Sequence, residues 1–490
     1  MFFKQKSDVI YRNYEKFGYI TDNRNYGYRQ KNVIGDKIVS QSGAVFLSVL
    51  SRKPQTLDEL AGKIIEKYVD VDIETIKSDA KEFYNMLEQD GFIVSGETLQ
   101  ECDKKDIVFS YKALEPEFIK KDISPIIMRT EKSTQEFLNE YFKDRPILTS
   151  LHVEITSKCN ERCVHCYIPH ENKINDIEPE LFYNILAQCK EMGLLNLTLS
   201  GGEPMMHRNF CEFLRKCKEY DFSVNVLSNL ISLNDEIIAE MRANRLLSVQ
   251  VSLYSMNSEI HDEITKVKGS FEKTKNAILK LIENDIPLQI NCPIMKQNKN
   301  CYIEVLNWAK EHKINAGNDY VMIARYDHTT QNLNNRLSLD EVGKIINNII
   351  ENDTEYQEKM KKEDVVEEEK RDISNDVVCS ICNSSICIAD NGNVYPCAGW
   401  QDYVVGNVKE KSLKEIWNNS EKVLYLRNLH KKDFPKCIKC PDKDFCVMCM
   451  VRNANEHQQG NPLEINKHFC KVVKLNKKIL FEWKEKLKNA

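Results

Sequence analysis

Between residues 151 and 324 the chain repeats one pattern. A short run of alternating apolar and polar residues is followed by a longer stretch with apolar residues three and four apart. The alternating runs are 151–156, 195–200, 223–227, 248–254, 288–294 and 320–324, and period two predicts strands. The stretches 179–192, 209–220 and 271–283 carry the helical period. Strand–helix alternation predicts an α/β fold with a parallel sheet and helical crossovers, here a partial (β/α)6 barrel over 148–335. Within the strands one parity is apolar: Leu151, Val153, Ile155; Leu195, Leu197, Leu199; Val249, Val251, Leu253; Ile290, Cys292, Ile294. The other is polar: His152, Glu154, Thr156; Asn196, Thr198, Ser200; Gln250, Ser252, Tyr254; Gln289, Asn291. Helices pack on the apolar side, so the concave side is lined with hydrogen-bonding groups. A closed barrel filled by its own side chains would carry branched apolar residues there. The polar lining therefore predicts an open half-barrel that holds polar ligands.

The flanks follow other patterns. Residues 1–110 read as a winged-helix-like α+β domain, with extended stretches at 19–20, 26–29 and 37–40. A helix over 43–50 comes next, with Ala44, Phe46, Leu47 and Leu50 on one face. Thr56 and Glu59 form a capping box that opens a helix through Tyr68. An amphipathic helix over 73–90 ends at Gly91, and 92–94 is a short strand. Residues 111–147 are a polar connector. Residues 336–375 combine a helix at 338–350 with a charged segment, 351–371, read as a solvated linker or bridging helix. Residues 376–490 are a turn-rich, cysteine-rich domain closed by a helix at 474–490, whose apolar side is Leu475, Ile479, Leu480 and Trp483.

Composition narrows the function. A net charge of −5 gives no electrostatic case for nucleic acid as the main partner. No apolar run approaches the ~20 residues needed to span a bilayer. The amino terminus lacks the apolar core of a signal peptide, so a cytoplasmic location is expected. In that compartment eighteen cysteines call for an explanation other than disulfides. Twelve of them fall in 159–166, 379–397 and 437–470, and metal ligation explains such clustering. The remaining six, Cys102, Cys189, Cys211, Cys217, Cys292 and Cys301, read as packing residues.

Cys159, Cys163 and Cys166 spell CxxxCxxC in the loop after the first barrel strand, at the carboxyl edge where open α/β sheets bind ligands. Three thiolates suit an iron–sulfur cube with one iron left for a small-molecule ligand. A zinc site completed by His165 or His170 is the bland alternative, which the three-residue first gap fits poorly. One βα unit later the second strand ends in Ser200-Gly201-Gly202-Glu203-Pro204. Together these motifs resemble the radical S-adenosylmethionine (SAM) enzymes over roughly 150–330. The resemblance implies that Cys159, Cys163 and Cys166 hold a [4Fe–4S] cluster and that Gly201, Gly202, Glu203 and Pro204 hold the methionyl ammonium of SAM. Asn229 and Ser252, on later strands, are candidate contacts to its carboxylate or ribose. The chemistry implied is a 5′-deoxyadenosyl radical that abstracts hydrogen from an unactivated carbon.

The tail carries GxxxxC at Gly392–Cys397, then Cys437-x2-Cys440-x5-Cys446-x2-Cys449 and a distant Cys470. It resembles the SPASM domain of peptide-modifying radical SAM enzymes, which implies two auxiliary [4Fe–4S] clusters and three clusters in all. Cys437, Cys440, Cys446 and Cys470 would hold one. Cys397 and Cys449 would join Cys379 and Cys382 on the other, with Cys387 a third candidate for those last two places. The chain departs from the family in placing two residues, not three, between Cys446 and Cys449. Paired zinc ribbons are the competing reading of these cysteines alone. Residues 1–110 resemble the leader-peptide-recognition domains related to the pyrroloquinoline-quinone peptide chaperone, which add a peptide as a strand to a sheet edge. The combination looks like a maturase of ribosomally made precursor peptides, served by an electron donor such as a flavodoxin or ferredoxin. Thioether formation from a cysteine sulfur is the favoured reaction. Carbon–carbon crosslinking, epimerisation and sulfatase maturation are the enzymatic rivals, and a zinc-stabilised peptide-binding adaptor is the non-enzymatic one.

Overall fold

The computed structural model describes residues 1–23, 28–29, 35–108, 110, 115–116, 134–142, 146–352, 357–358 and 372–488. In the amino-terminal region, β1 (Phe2–Gln5) pairs antiparallel with β6 (Gln55–Thr56) and β7 (Ile93–Gly96). A second sheet joins β2 (Ile10–Asn13), β3 (Gly18–Thr21) and β5 (Asp36–Val39), and β4 (Tyr28–Arg29) pairs with β8 (Glu115–Pro116). Helices Gln41–Val49, Leu57–Ile65 and Ile73–Gln89 cover a core of Phe3, Ile20, Leu47, Leu60, Ile64, Tyr84 and Leu87. The capping box forms as its spacing predicts: Thr56 Oγ1 accepts from Glu59 N at 3.2 Å, and Glu59 Oε2 accepts from Thr56 N at 2.8 Å. The strand at 2–5 and the hairpin partner at 10–13 escape the sequence reading, because each is four residues long with no turn signal of its own. Of the stretch expected at 26–29, residues 26 and 27 lie outside the described residues.

The central sheet runs, in spatial order, through 315–319, 288–293, 248–252, 223–228, 196–201, 150–156, 385–388, 393–395 and 406–407. Its parallel half-barrel consists of β9 (Ser150–Thr156), β10 (Asn196–Gly201), β11 (Ser223–Ser228), β12 (Ser248–Ser252), β13 (Leu288–Pro293) and β14 (Asn315–Asp319). The sixth strand is therefore 315–319, not the expected 320–324. Among the described residues it is an edge strand paired only with β13, so Asn-Ala-Gly-Asn-Asp needs no apolar parity. Helices Pro179–Glu191, Phe210–Glu219 and Ser270–Glu283 pack on Leu151, Val153, Ile155, Leu197, Leu199, Val249, Val251, Ile290 and Cys292, all essentially buried.

The cysteine-rich region is continuous with this sheet. The strand β15 (Ser385–Ile388) lies parallel to β9, with Cys387 opposite His152, and β16 (Asn393–Tyr395) and β17 (Gly406–Asn407) extend it antiparallel. Trp417, Val423 and Phe434 enter the barrel's own hydrophobic core. The closing helix starts at Lys467, seven residues earlier than its apolar side suggests, and packs on Leu339–Asn352. A helix Thr134–Phe142 lies in the connector. Most of the charged segment, 353–356 and 359–371, lies outside the described residues. Among the described residues no helix is long and apolar enough to cross a membrane.

Arginines fasten the amino-terminal region to the barrel: Arg52 pairs with Asp221 at 2.6 Å, and Arg12 reaches deeper. Arg12, 5% exposed, donates from Nε to Leu194 O (2.6 Å) and from Nη2 to Tyr220 O (2.9 Å) and Asp221 O (2.8 Å). Its guanidinium lies 4.8 Å from the Phe222 ring centre. Burial pulls its pKa down, while neighbouring Asp221 opposes this. Arg12→Ala removes a planar donor from three carbonyls and is expected to cost about 2–4 kcal/mol, the scale of several charge-assisted hydrogen bonds lost at a buried site. Limited proteolysis should then release the amino-terminal region faster than in the unaltered protein, with the barrel remaining folded.

Candidate active site

All of the sequence-marked SAM-site residues lie at the carboxyl ends of adjacent strands. The loop after β9 carries Cys159, Cys163 and Cys166, β10 ends at Gly201, β11 leads into Asn229, and β12 ends at Ser252. The cysteine loop is pinned from four sides. Gly202 N donates to Thr156 O and Glu203 N to Lys158 O, both at 2.8 Å. Asn229 Nδ2 donates to Asn160 Oδ1 at 2.6 Å. Arg162 N and Val164 N donate to Thr265 O (3.0 Å) and Ile264 O (2.9 Å) at the end of helix Ser258–Thr265. Asn335 Nδ2 reaches Val164 O at 3.1 Å.

The loop brings its thiols together. Burial pushes the Cys163 thiol well up, helped by Glu161, Cys166 and Cys159 around it. Burial likewise pushes Cys159 up to about 11, with Lys173 opposing. Three thiols on one short loop offer a soft cation the ligands it prefers, and it would bind them as thiolates.

Glu203 is fully buried, and three donors converge on it. Ser228 Oγ (2.8 Å) and Met205 N (3.0 Å) reach Oε1, and Asn229 N (2.7 Å) reaches Oε2. Burial raises it to about 7 against these hydrogen bonds. A carboxylate has about four acceptor positions, so this set leaves room for one more donor. Asn229 is likewise engaged: its Oδ1 accepts from Ile231 N at 3.0 Å while its Nδ2 holds the cysteine loop. Ser252 stands beside Tyr254, whose hydroxyl lies 3.5 Å from His165 Nε2 and 4.0 Å from Cys163 Sγ. The glycines serve the loop itself. A Cβ on Gly201 would meet Thr156 O at 1.9 Å, and one on Gly202 would meet Lys158 O at 2.1 Å.

The tail brings its cysteines into two groups. Cys379 is pushed up to about 11, first by burial and then by neighbouring Cys449 and Cys397. Cys397 is raised by burial with Cys449 nearby. Cys382, pushed up to about 12 by burial against Arg427, neighbours Cys379. The second group is Cys437, Cys440, Cys446 and Cys470. Burial raises Cys446 to about 11, with Cys470, Cys437 and Cys440 adding to it. Burial also raises Cys437 and Cys470, with Cys440 beside both. Cys387 is fully buried, as its apolar strand suggests, with Glu154 and then Cys397 as charged neighbours.

Two residues at the site carry no role in the sequence reading. Glu161, 3% exposed, sits inside the cysteine motif and is raised to about 7 by burial, with Glu203 also pushing it up. Its position between Cys159 and Cys163 is the signal that marks it. Asn298, fully buried, donates to Tyr254 O (2.8 Å) and Pro293 O (2.9 Å), fixing the exits of β12 and β13. No local pattern distinguishes it from other loop asparagines.

Comparison with known proteins gives matches to two family models, the radical SAM superfamily over 153–309 and an iron–sulfur cluster-binding domain over 379–441. The chain is 25% identical over 321 residues to an AdoMet-dependent heme synthase of Methanosarcina barkeri, covering 61% of this chain and 90% of the relative. It is 25% identical over 325 residues to the antilisterial bacteriocin subtilosin biosynthesis protein AlbA of Bacillus subtilis, covering 63% and 69%. Among solved structures, Streptococcus suis SuiB bound to precursor peptide SuiA superposes with a TM-score of 0.58 at 15% identity, covering 94% of this chain and 98% of that one. Native anSMEcpe with bound AdoMet gives 0.53 at 17% identity, covering 70% and 99%. Fold, strand-edge geometry and family matches together identify a radical SAM catalytic domain over 153–309 with an iron–sulfur cluster-binding domain behind it, and so an enzyme that uses S-adenosylmethionine.

Proposed function

We propose that this enzyme modifies a ribosomally made precursor peptide and that the bond it forms is a thioether from a cysteine sulfur to carbon. The observation that carries the reading is the likeness over nearly the whole chain, amino-terminal region included, to a protein solved with its precursor peptide. The subtilosin relative points the same way.

The interior of the fold suits a peptide. A cavity of about 1360 Å³ opens at the amino-terminal mouth of the half-barrel. It is lined by Thr198, Asn225 and Gln250 from the concave face and by Tyr14 and Tyr19 from the amino-terminal region. Among the described residues, strands β2 and β5 each have one neighbour in their sheet, and such an edge accepts a leader segment as an added strand. With three clusters and SAM bound, the cofactors would supply a 5′-deoxyadenosyl radical and a route for the surplus electron. In this reading Cys159, Cys163 and Cys166 hold the SAM cluster, and Gly201, Gly202, Glu203, Pro204, Asn229 and Ser252 position SAM. Cys379, Cys382, Cys397 and Cys449 hold one auxiliary cluster, and Cys437, Cys440, Cys446 and Cys470 hold the other. The polar concave wall orients the peptide.

The test is anaerobic incubation with SAM, dithionite and each short cysteine-containing peptide encoded beside the gene, followed by mass spectrometry. A thioether removes two hydrogens and one alkylatable thiol per 5′-deoxyadenosine formed. Loss of two hydrogens with every thiol still alkylatable would mean carbon–carbon bonding. An unchanged mass with inverted residues would mean epimerisation. Deoxyadenosine with every peptide untouched would sink the peptide reading.

A further inference from the structure

The concave wall carries a group of ligating side chains that the radical site does not use. His152 and Glu154 lie on the polar parity of β9, and Cys387 stands opposite His152 on β15. One ring nitrogen of His152, one carboxylate oxygen of Glu154 and Cys387 Sγ all lie within 4.8 Å of one another. Neither Glu154 nor Cys387 is open to solvent, at 4% and 0% exposure.

Glu154 is incompletely satisfied. Oε2 accepts from Gln401 Nε2, but Oε1 is buried with no hydrogen-bond partner. Tyr167 also hydrogen-bonds to the carboxylate and Asp390 stands beside it, and neither brings positive charge. Asp390 is itself 9% exposed, so two carboxyl groups are buried together with no lysine or arginine acting on Glu154 among the described residues. A buried carboxylate without a cation is costly, and such groups are ordinarily paired or bound to metal. His152 already has the support that a ligating imidazole needs, because its Nε2 is hydrogen-bonded to Ser200 Oγ at the end of β10. Burial lowers this histidine to about 4, so the ring is neutral and keeps a lone pair for a cation.

We propose that His152, Glu154 and Cys387 form a mononuclear site for a borderline divalent cation of the zinc type, separate from the iron–sulfur clusters. Mixed imidazole, carboxylate and thiolate donors are the set zinc takes, and three protein ligands with an open fourth position mark sites that bind a reactant. Because all three side chains project from the concave face, the open position faces the barrel interior. It suits a thiolate, whose thiol proton passes to solvent on binding. That the thiolate is the precursor's cysteine rests on the function proposed above.

The test needs no peptide. Protein with its clusters intact is purified anaerobically from zinc-supplemented medium, dialysed, and assayed for zinc and iron in one sample. Zinc-edge X-ray absorption then reads the ligands. The expected result is about one zinc per chain, with one sulfur at about 2.3 Å and the remaining donors nitrogen or oxygen at about 2.0–2.2 Å. Cys387→Ser should remove the sulfur, and Glu154→Gln should abolish retention of zinc, both with iron unchanged. Ser200→Ala should weaken zinc binding about 10–100-fold, the usual effect of removing a group that orients a ligand. The proposal is overturned by full iron with no zinc, or by zinc indifferent to Glu154→Gln and Cys387→Ser. It is equally overturned if Cys387→Ser lowers iron, which would make Cys387 a cluster ligand. None of these outcomes bears on the peptide reading. Conversely, if no peptide is modified, the zinc result still stands or falls alone.

Discussion

Cys163→Ala is expected to reduce reductive cleavage of SAM to background and to lower the iron content by about four per chain, the contents of one [4Fe–4S] cube. Cys163 is the loop thiol on which the others converge, since Cys159 and Cys166 both act on it. Two ligands cannot hold a cube that already leaves one iron without a protein thiolate. The loop should nevertheless keep its path. Its pins are the backbone bonds to Thr265 O and Ile264 O and the Asn229–Asn160 contact, none of which uses the Cys163 thiol. Cys163 Sγ donates to Glu161 Oε2 at 3.2 Å and accepts from Tyr254 Oη at 4.0 Å, and neither bond is one of those pins. Thermal unfolding of the cluster-free variant should therefore match that of cluster-free wild type. The auxiliary clusters should remain, leaving the variant brown. Cleavage persisting at a tenth of the normal rate or more would place the SAM cluster on other thiols.

The half-barrel was legible because both faces of its strands are constrained. Residues such as Val249 and Val251 must meet helices, Gln250 and Ser252 must meet a polar interior, and that contrast produces period two. The edge strand β14 escapes because Asn315–Asp319 has one neighbour and little burial, so nothing forces an alternation. The strand β15 shows a third case. Ile386 and Ile388 enter the main core while Cys387 faces the interior, but a buried cysteine between two isoleucines looks apolar throughout. Its pairing with His152 depends on two segments more than two hundred residues apart, which no local window contains. The cysteine loop and the glycine turn were visible as motifs, whereas the asparagines that hold them were not. Asn160 and Asn335 act through partners distant in sequence, Asn229 and Val164. The two glycines also have a local physical reason: the space beside them is taken by the backbone that leads from β9 into the cysteine loop.

That last point gives the second large effect. Gly202→Ala is expected to lower SAM cleavage about 100-fold, the scale associated with misplacing a reacting group by about 1 Å. The new Cβ would stand 2.1 Å from Lys158 O and 2.5 Å from Ser157 O, distances at which something must move. Neither obstacle is a flexible side chain, for both are backbone carbonyls immediately before Cys159. The loop cannot retreat without losing the bonds that hold it, Gly202 N to Thr156 O and Glu203 N to Lys158 O. Restoring ordinary contact takes a shift of more than about 1 Å, and it would fall on the first cluster cysteine and on the turn carrying Glu203 together. Gly62 supplies the control. It lies within helix Leu57–Ile65 with nothing within 4 Å of its would-be Cβ, so Gly62→Ala should leave cleavage unchanged and stabilise the helix by up to about 1 kcal/mol. Measuring deoxyadenosine formation and iron per chain for both variants separates the effects. Loss of cleavage in Gly202→Ala with its iron retained would put the damage in the placement of SAM. Loss of iron as well would put it in the cysteine loop. Normal cleavage in Gly202→Ala would show that the loop yields without cost, and would remove the backbone contact as the reason a glycine stands there.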